Sequence, residues 1–173
     1  MLYLDTSVLL VATLTQSVER VRYAATRAFL ARLESGALVG ATSFHALHEV
    51  HLFALANAPD TATGAAYGKA ALAHILAWPI QILPLVSRVE RGLYARTFRA
   101  LRDPADVPHA IAAWASQCEA IVTYDSHSRP SHISFRTERQ TICSPKSCCP
   151  RFAASEKSSW RLAAPAEFQI GQC

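Results

Sequence analysis

Four carboxylates in this chain stand where a folded α/β protein would gather them. Asp5 directly follows the apolar run Leu2-Tyr3-Leu4, and Asp125 closes Ile121-Val122-Thr123-Tyr124 in the same way. Glu49 sits between His48 and Val50 in a helical stretch, and Asp106 precedes Val107-Pro108-His109-Ala110-Ile111-Ala112-Ala113. A carboxylate at such positions is costly unless it is solvated, paired or bound to a metal. Four hard oxygen ligands converging on one pocket suit Mg²⁺ or Mn²⁺. Paired ions held that way clamp a scissile phosphate and activate a water for in-line attack. Singly, each acid has a plainer role: Asp5 and Asp125 as turn formers, Asp106 as a helix cap, Glu49 as an exposed helix residue. The combination carries the reading.

The elements that must position these acids follow from periodicity. Leu2-Tyr3-Leu4 reads as a buried strand and Val8-Leu9-Leu10 as the start of a helix. Residues 17–33 repeat apolar side chains at helical spacing, and Gly36 ends that helix. Residues 37–41 form a short strand, and Thr42-Ser43 can cap a helix carrying Leu47, Val50, Phe53 and Ala54. Ala58-Pro59-Asp60 breaks it, and an alanine-rich helix spans 61–76. A strand over 80–86, an arginine-rich helix over 87–101 and a helix over 104–117 come next. A buried strand over 120–124 ends at Asp125, and a last short strand is expected over 133–136. Helices alternating with short apolar strands imply a parallel sheet covered on both faces, with the binding site at the carboxyl ends of the strands.

Composition narrows the class. The chain has 173 residues, about half hydrophobic and 17% charged, with a net charge of +4. That charge permits a nucleic-acid partner without demanding one. The N-terminus lacks a basic leader, and the longest apolar stretch, 71–86, is interrupted by His74, Pro79, Gln81 and Pro84. Neither a signal peptide nor a membrane span is expected, which makes the cytoplasm the default location. Five cysteines, with Cys143, Cys148, Cys149 and Cys173 late in the chain, do not make a disulfide framework. The late cysteines lack a Cys-x-x-Cys pair, so free thiols are expected there rather than a zinc site. Residues 137–173 lose clear periodicity and read as an irregular tail, or one ordered by a partner, behind a domain spanning 1–136.

Four segments together resemble PIN domains. Leu4-Asp5-Thr6-Ser7-Val8-Leu9-Leu10 resembles the first motif of that family, and Leu47-His48-Glu49-Val50 is similar to its helical acid. The segment 106–113 resembles the third motif, and Ile121-Val122-Thr123-Tyr124-Asp125-Ser126-His127 the fourth. All occur in the family order, over about residues 1–136. The resemblance implies a three-layer α/β/α sandwich with a short central parallel sheet, and Mg²⁺- or Mn²⁺-dependent cleavage of RNA. Among small PIN proteins the chain looks most like VapC-type toxins of toxin–antitoxin pairs, which implies a homodimer and a cognate antitoxin. Carried onto this chain, Asp5, Glu49, Asp106 and Asp125 would be the metal ligands and catalytic acids. Ser7 and Thr123 would be supporting hydroxyls, and Asp103 could share the role of Asp106.

Two further patterns bear on function. Arg88, Arg91, Arg99 and Arg102 share one side of a projected helix, with Arg96 beside them, and would form a basic ridge for RNA phosphates. A solvated helix face is the plainer alternative. His45, His48 and His51 recur every three residues around Glu49, but the pattern is not His-Glu-x-x-His. Surface or partly buried histidines are expected. The rival functions are a non-catalytic PIN-like module that binds RNA or protein, and a phosphoacceptor domain of the receiver type. The latter lacks its acidic pair, since Asp5 has no acidic neighbour.

Overall fold

The computed structural model describes residues 1–98, 101, 103–124 and the backbone of 169–171. Five short strands form one sheet in the order β3-β2-β1-β4-β5. They are β1 (Leu2–Leu4), β2 (Gly40–Ser43), β3 (Ile80–Leu83), β4 (Ala120–Thr123) and β5 (Gln169–Gly171). The first four are mutually parallel, and β5 pairs antiparallel with β4. The fold is α/β, a four-strand parallel sheet flanked by helices. β5 comes from the stretch expected to be irregular, and the strand expected over 133–136 lies outside the described residues.

Side chains alternate across the pleat, which divides the core between the two faces. Leu4 and Val122 pack on one face with Leu9 of α1 (Thr6–Thr13), Leu30 of α2 (Arg20–Glu34), Val50 of α3 (Phe44–Asn57) and Ile75 of α4 (Thr61–Leu76). Tyr3, Ala41 and Leu83 face the other way, against Ala112 and Ala113 of α6 (Val107–Ala115). Each fully buried leucine of this kind contributes about 1.5–3 kcal/mol over an exposed one. The alternation has a functional consequence. Tyr3 and Ser43 are forced onto the α6 face, where their hydroxyls can reach a side chain of that helix.

Local signals set the helix ends. Asp5 caps α1, Ser43 caps α3 and Asp60 caps α4, each accepting from a backbone N–H. Gly36 follows α2 with φ +73°, a conformation glycine adopts without penalty. The arginine-rich segment departs from expectation. α5 (Arg88–Tyr94) starts with a capping box between Ser87 and Glu90 but stops after two turns. Beyond it the chain turns so that Phe98 can insert among Ala110 and Ile111. Arg88 and Arg91 lie exposed on α5, which ends well short of the helix expected over 87–101, and Arg99 and Arg102 lie outside the described residues.

α3 and α4 pack closely where α4 carries Gly64. A Cβ there would lie 2.9 Å from the Leu55 Cα and 3.0 Å from the Ala54 carbonyl oxygen. Gly92, on α5, has nothing within 4 Å of the equivalent position. Gly64→Ala should therefore lower stability by roughly 1–2 kcal/mol despite its better helix propensity. Gly92→Ala should raise it by up to about 1 kcal/mol. Thermal or urea unfolding of the two variants reads this contrast, and equal effects of the same sign would contradict the packing.

Candidate active site

The carboxyl ends of β1, β2 and β4 meet at one edge, with β1 in the middle. The chain leaves β1 toward β2 on one side and returns as β4 on the other, the kind of switch point where α/β sheets bind ligands. Asp5 stands there. Its Oδ2 accepts from the Ser7 backbone N–H (3.3 Å), the Ser7 hydroxyl (2.7 Å) and the Thr123 hydroxyl (2.9 Å). Ser7 in turn accepts from the Tyr124 backbone N–H at 3.0 Å. Ser7 and Thr123 therefore hold one carboxylate oxygen still, and Oδ1 turns toward His109.

His109 was not among the expected site residues. It is 5% exposed, on α6, three residues after Asp106. Its Nε2 lies 2.9 Å from Glu49 Oε2, and its Nδ1 lies 2.8 Å from the Tyr3 hydroxyl. Tyr3 also meets Ser43 Oγ at 2.7 Å, and that oxygen accepts from the Ala46 N–H. Burial pushes the Tyr3 phenol far above its ordinary value, so it stays protonated. The imidazole is thus held between Tyr3 at Nδ1 and Glu49 at Nε2. Asp5 Oδ1 lies 3.9 Å from Nδ1 and acts on the ring through its charge, since Tyr3 holds the hydrogen bond.

The electrostatics show what the pocket demands. Burial opposes a charge on His109, yet its pKa is raised by the Glu49 hydrogen bond and by the charges of Asp5, Glu49 and Asp106. Burial likewise opposes ionisation of Glu49. Hydrogen bonds from His109 and from Thr6 (2.5 Å), with the charges of His109 and His45, bring its pKa below the usual range. Three of the four expected acids thus bear on one buried imidazole. Asp106 does not cap α6 with its side chain, contrary to the plainer role considered for it. Asp103 does cap, accepting from the Ala105 N–H at 2.8 Å. Asp125 lies outside the described residues. Tyr124, immediately before it, is anchored to α2 through the Thr26 hydroxyl and the Arg22 carbonyl.

The three α3 histidines separate. His45 is half-buried, with Nε2 3.4 Å from Glu49 Oε1 and its ring 5.0 Å from that of His109. His48 is exposed, and His51 lies against Gly68 of α4. The relevant spacing was four residues, from His45 to Glu49, which puts both on one helix face. Burial lowers the His45 pKa, Glu49 opposes that, and His109, His48 and Arg91 reinforce it. Arg91 therefore lies within electrostatic reach of the site.

The signs of these shifts set a pH dependence. His109 holds its proton more tightly in the folded chain, so its contribution is complete below the ordinary value of 6.5 and fades as pH rises through the higher folded value. Glu49 has the opposite dependence: its contribution is present above the ordinary value of 4.5 and is lost as pH falls through the lower folded value. In metal-free protein, the thermal midpoint should fall between about pH 6 and pH 9, and His109→Gln should flatten that fall. The variant should also be about 1–3 kcal/mol less stable near pH 6. Parallel pH profiles for the two proteins would count against an imidazolium held by Glu49.

Comparison with known proteins agrees with the fold. None of the curated proteins matches the sequence. Two solved structures share the fold at low identity. VapC20 of Mycobacterium tuberculosis, a toxin that cleaves the sarcin-ricin loop, superposes with a TM-score of 0.54 at 17% identity, over 74% of this chain and 93% of that one. VapBC2 of Rickettsia felis, bound to a DNA fragment from its promoter, gives 0.51 at 15% identity, over 72% and 89%. The family model of the PIN domain matches residues 2–127, and the chain belongs to that family.

Proposed function

We propose that this chain is a metal-dependent endoribonuclease, the toxin of a toxin–antitoxin pair, with its catalytic centre at Asp5, Glu49, Asp106 and Asp125. One observation carries the reading: at the carboxyl ends of the parallel strands Asp5 and Glu49 converge on one buried histidine, 3.9 Å and 2.9 Å from its ring nitrogens. A pocket lined by such carboxylates fits a divalent cation, and its oxygen donors suit Mg²⁺ or Mn²⁺. Bound there, such an ion would supply charge stabilisation on the scissile phosphate and a more acidic water.

The chain's own groups do the rest. Ser7 and Thr123 fix one Asp5 oxygen, which leaves the other to face the pocket. Thr6 and His109 hold Glu49 in its rotamer and keep it ionised. Arg91, exposed and near His45, with Arg88, Arg99 and Arg102, would take phosphates flanking the cut. Asp103, occupied as a cap, would act through the position of Asp106. Exposed Leu85, Val89, Leu93 and Trp114 supply apolar surface for a second copy of the chain or an antitoxin. No helix among the described residues is long and apolar enough to cross a membrane, consistent with action on RNA in the cytoplasm.

RNA incubated with the full chain and Mg²⁺ or Mn²⁺ should be cut, and EDTA should stop it. Asp5→Asn keeps the helix cap but removes the charge, and should slow cleavage by at least about a hundredfold. Undiminished cutting by Asp5→Asn and by Asp125→Asn would end this reading. Retention of RNA without product under either ion would favour the non-catalytic binding module.

A further inference from the structure

The acids do not exhaust the ligands at this edge. His45, Glu49 and His109 present three ligand atoms that all lie within 4.8 Å of one another. His45 Nε2 is 3.4 Å from one Glu49 oxygen, and His109 Nε2 is 2.9 Å from the other. Zinc bonds of about 2.0–2.2 Å at tetrahedral angles separate ligand atoms by roughly 3.3–3.6 Å, so small side-chain shifts suffice. We propose that His45, Glu49 and His109 form a second, borderline-metal site that binds Zn²⁺ or a similar transition ion, distinct in ligand type from the all-oxygen set.

The surroundings are those of a ligand set already oriented. The far nitrogen of His109 is held by Tyr3, which is itself held by Ser43. A ligating imidazole is commonly fixed in this way through its other nitrogen. Thr6 steadies the Glu49 carboxylate. His45 and Glu49 are partly open, whereas His109 is buried, so an ion can enter from solvent and close against the core. Two imidazoles and one carboxylate leave a fourth position for water, the arrangement of reactive rather than purely structural zinc centres. The histidines favour Zn²⁺ over Mg²⁺, because imidazole suits borderline ions and Mg²⁺ prefers oxygen. Glu49 belongs to both sets, so an ion here would withdraw it from the acids.

The inference does not depend on RNA being the substrate, and its test needs no RNA. The full chain, with accessible thiols blocked by alkylation, is titrated with Zn²⁺ against a chromogenic indicator. Wild type should take up one equivalent that His45→Ala loses, with affinity down about a hundredfold or more. His48→Ala, one turn along α3 and exposed, should bind as wild type does. Circular dichroism establishes that each variant is folded. The imidazole ¹⁵N resonances of His45 and His109 should both move on adding Zn²⁺. Unchanged zinc affinity in folded His45→Ala, or histidine resonances that stay in place as zinc is taken up, would overturn the site.

Discussion

The hydrogen bond between Glu49 and His109 is the contact on which the rest of this sheet edge depends. Each partner is partly or wholly removed from water, and each would resist its charge if left alone. Each favours the charge of the other, with Asp5 and Asp106 adding negative charge around the imidazole. A half-buried carboxylate left without its imidazole would have to be solvated or neutralised. The pair also joins α3 to α6 across the end of β1, tying elements from both faces of the sheet at one point.

The fold supplies this contact through a simple geometric rule. Alternation along β1 and β2 sends Tyr3 and Ser43 to the α6 face and Leu4 to the other. Tyr3 lies opposite Ala41, two residues before Ser43 on the same face, and its long side chain brings its hydroxyl within 2.7 Å of Ser43 Oγ. His109 then finds a partner for its inner nitrogen and can present the outer one to Glu49. Shifting either strand by one residue would exchange the faces and remove the support. The short helix α1 is as constrained: Asp5 is both its cap and a site acid, so folding the helix and aiming the carboxylate are one event.

Much of this was legible in the sequence. The alternation of apolar runs announced a parallel sheet, and the strand-terminal position of Asp5 announced its edge. Ser7 and Thr123, singled out by motif similarity as supporting hydroxyls, both hydrogen-bond Asp5. The histidines were not legible, for a physical reason. A period of three around Glu49 draws attention to His48, while the contact that forms is from His45, four residues away. His109 sits in an alanine-rich helix, where a lone histidine looks like filler. Its role depends on Tyr3 and Glu49, at sequence separations of 106 and 60, and no local pattern encodes such distances. The helix expected over 87–101 ends earlier, at Tyr94, because helical projection cannot foresee that Phe98 is buried against Ala110 and Ile111.

A site of this composition faces a choice between kinds of cation. Oxygen ligands alone discriminate weakly against the more strongly binding first-row ions, and imidazoles beside them make the preference for those ions steeper. Here the imidazole of His109 is not incidental, since it keeps Glu49 ionised when no metal is near. Replacing it to exclude transition ions would strip the carboxylate of its buried partner and leave its charge less supported. His45 carries no such burden: its Glu49 contact is longer, at 3.4 Å, and it is only half-buried. The two histidines thus separate the functions of the edge. One supports the carboxylate in the metal-free chain, and the other would matter chiefly to an ion that accepts nitrogen.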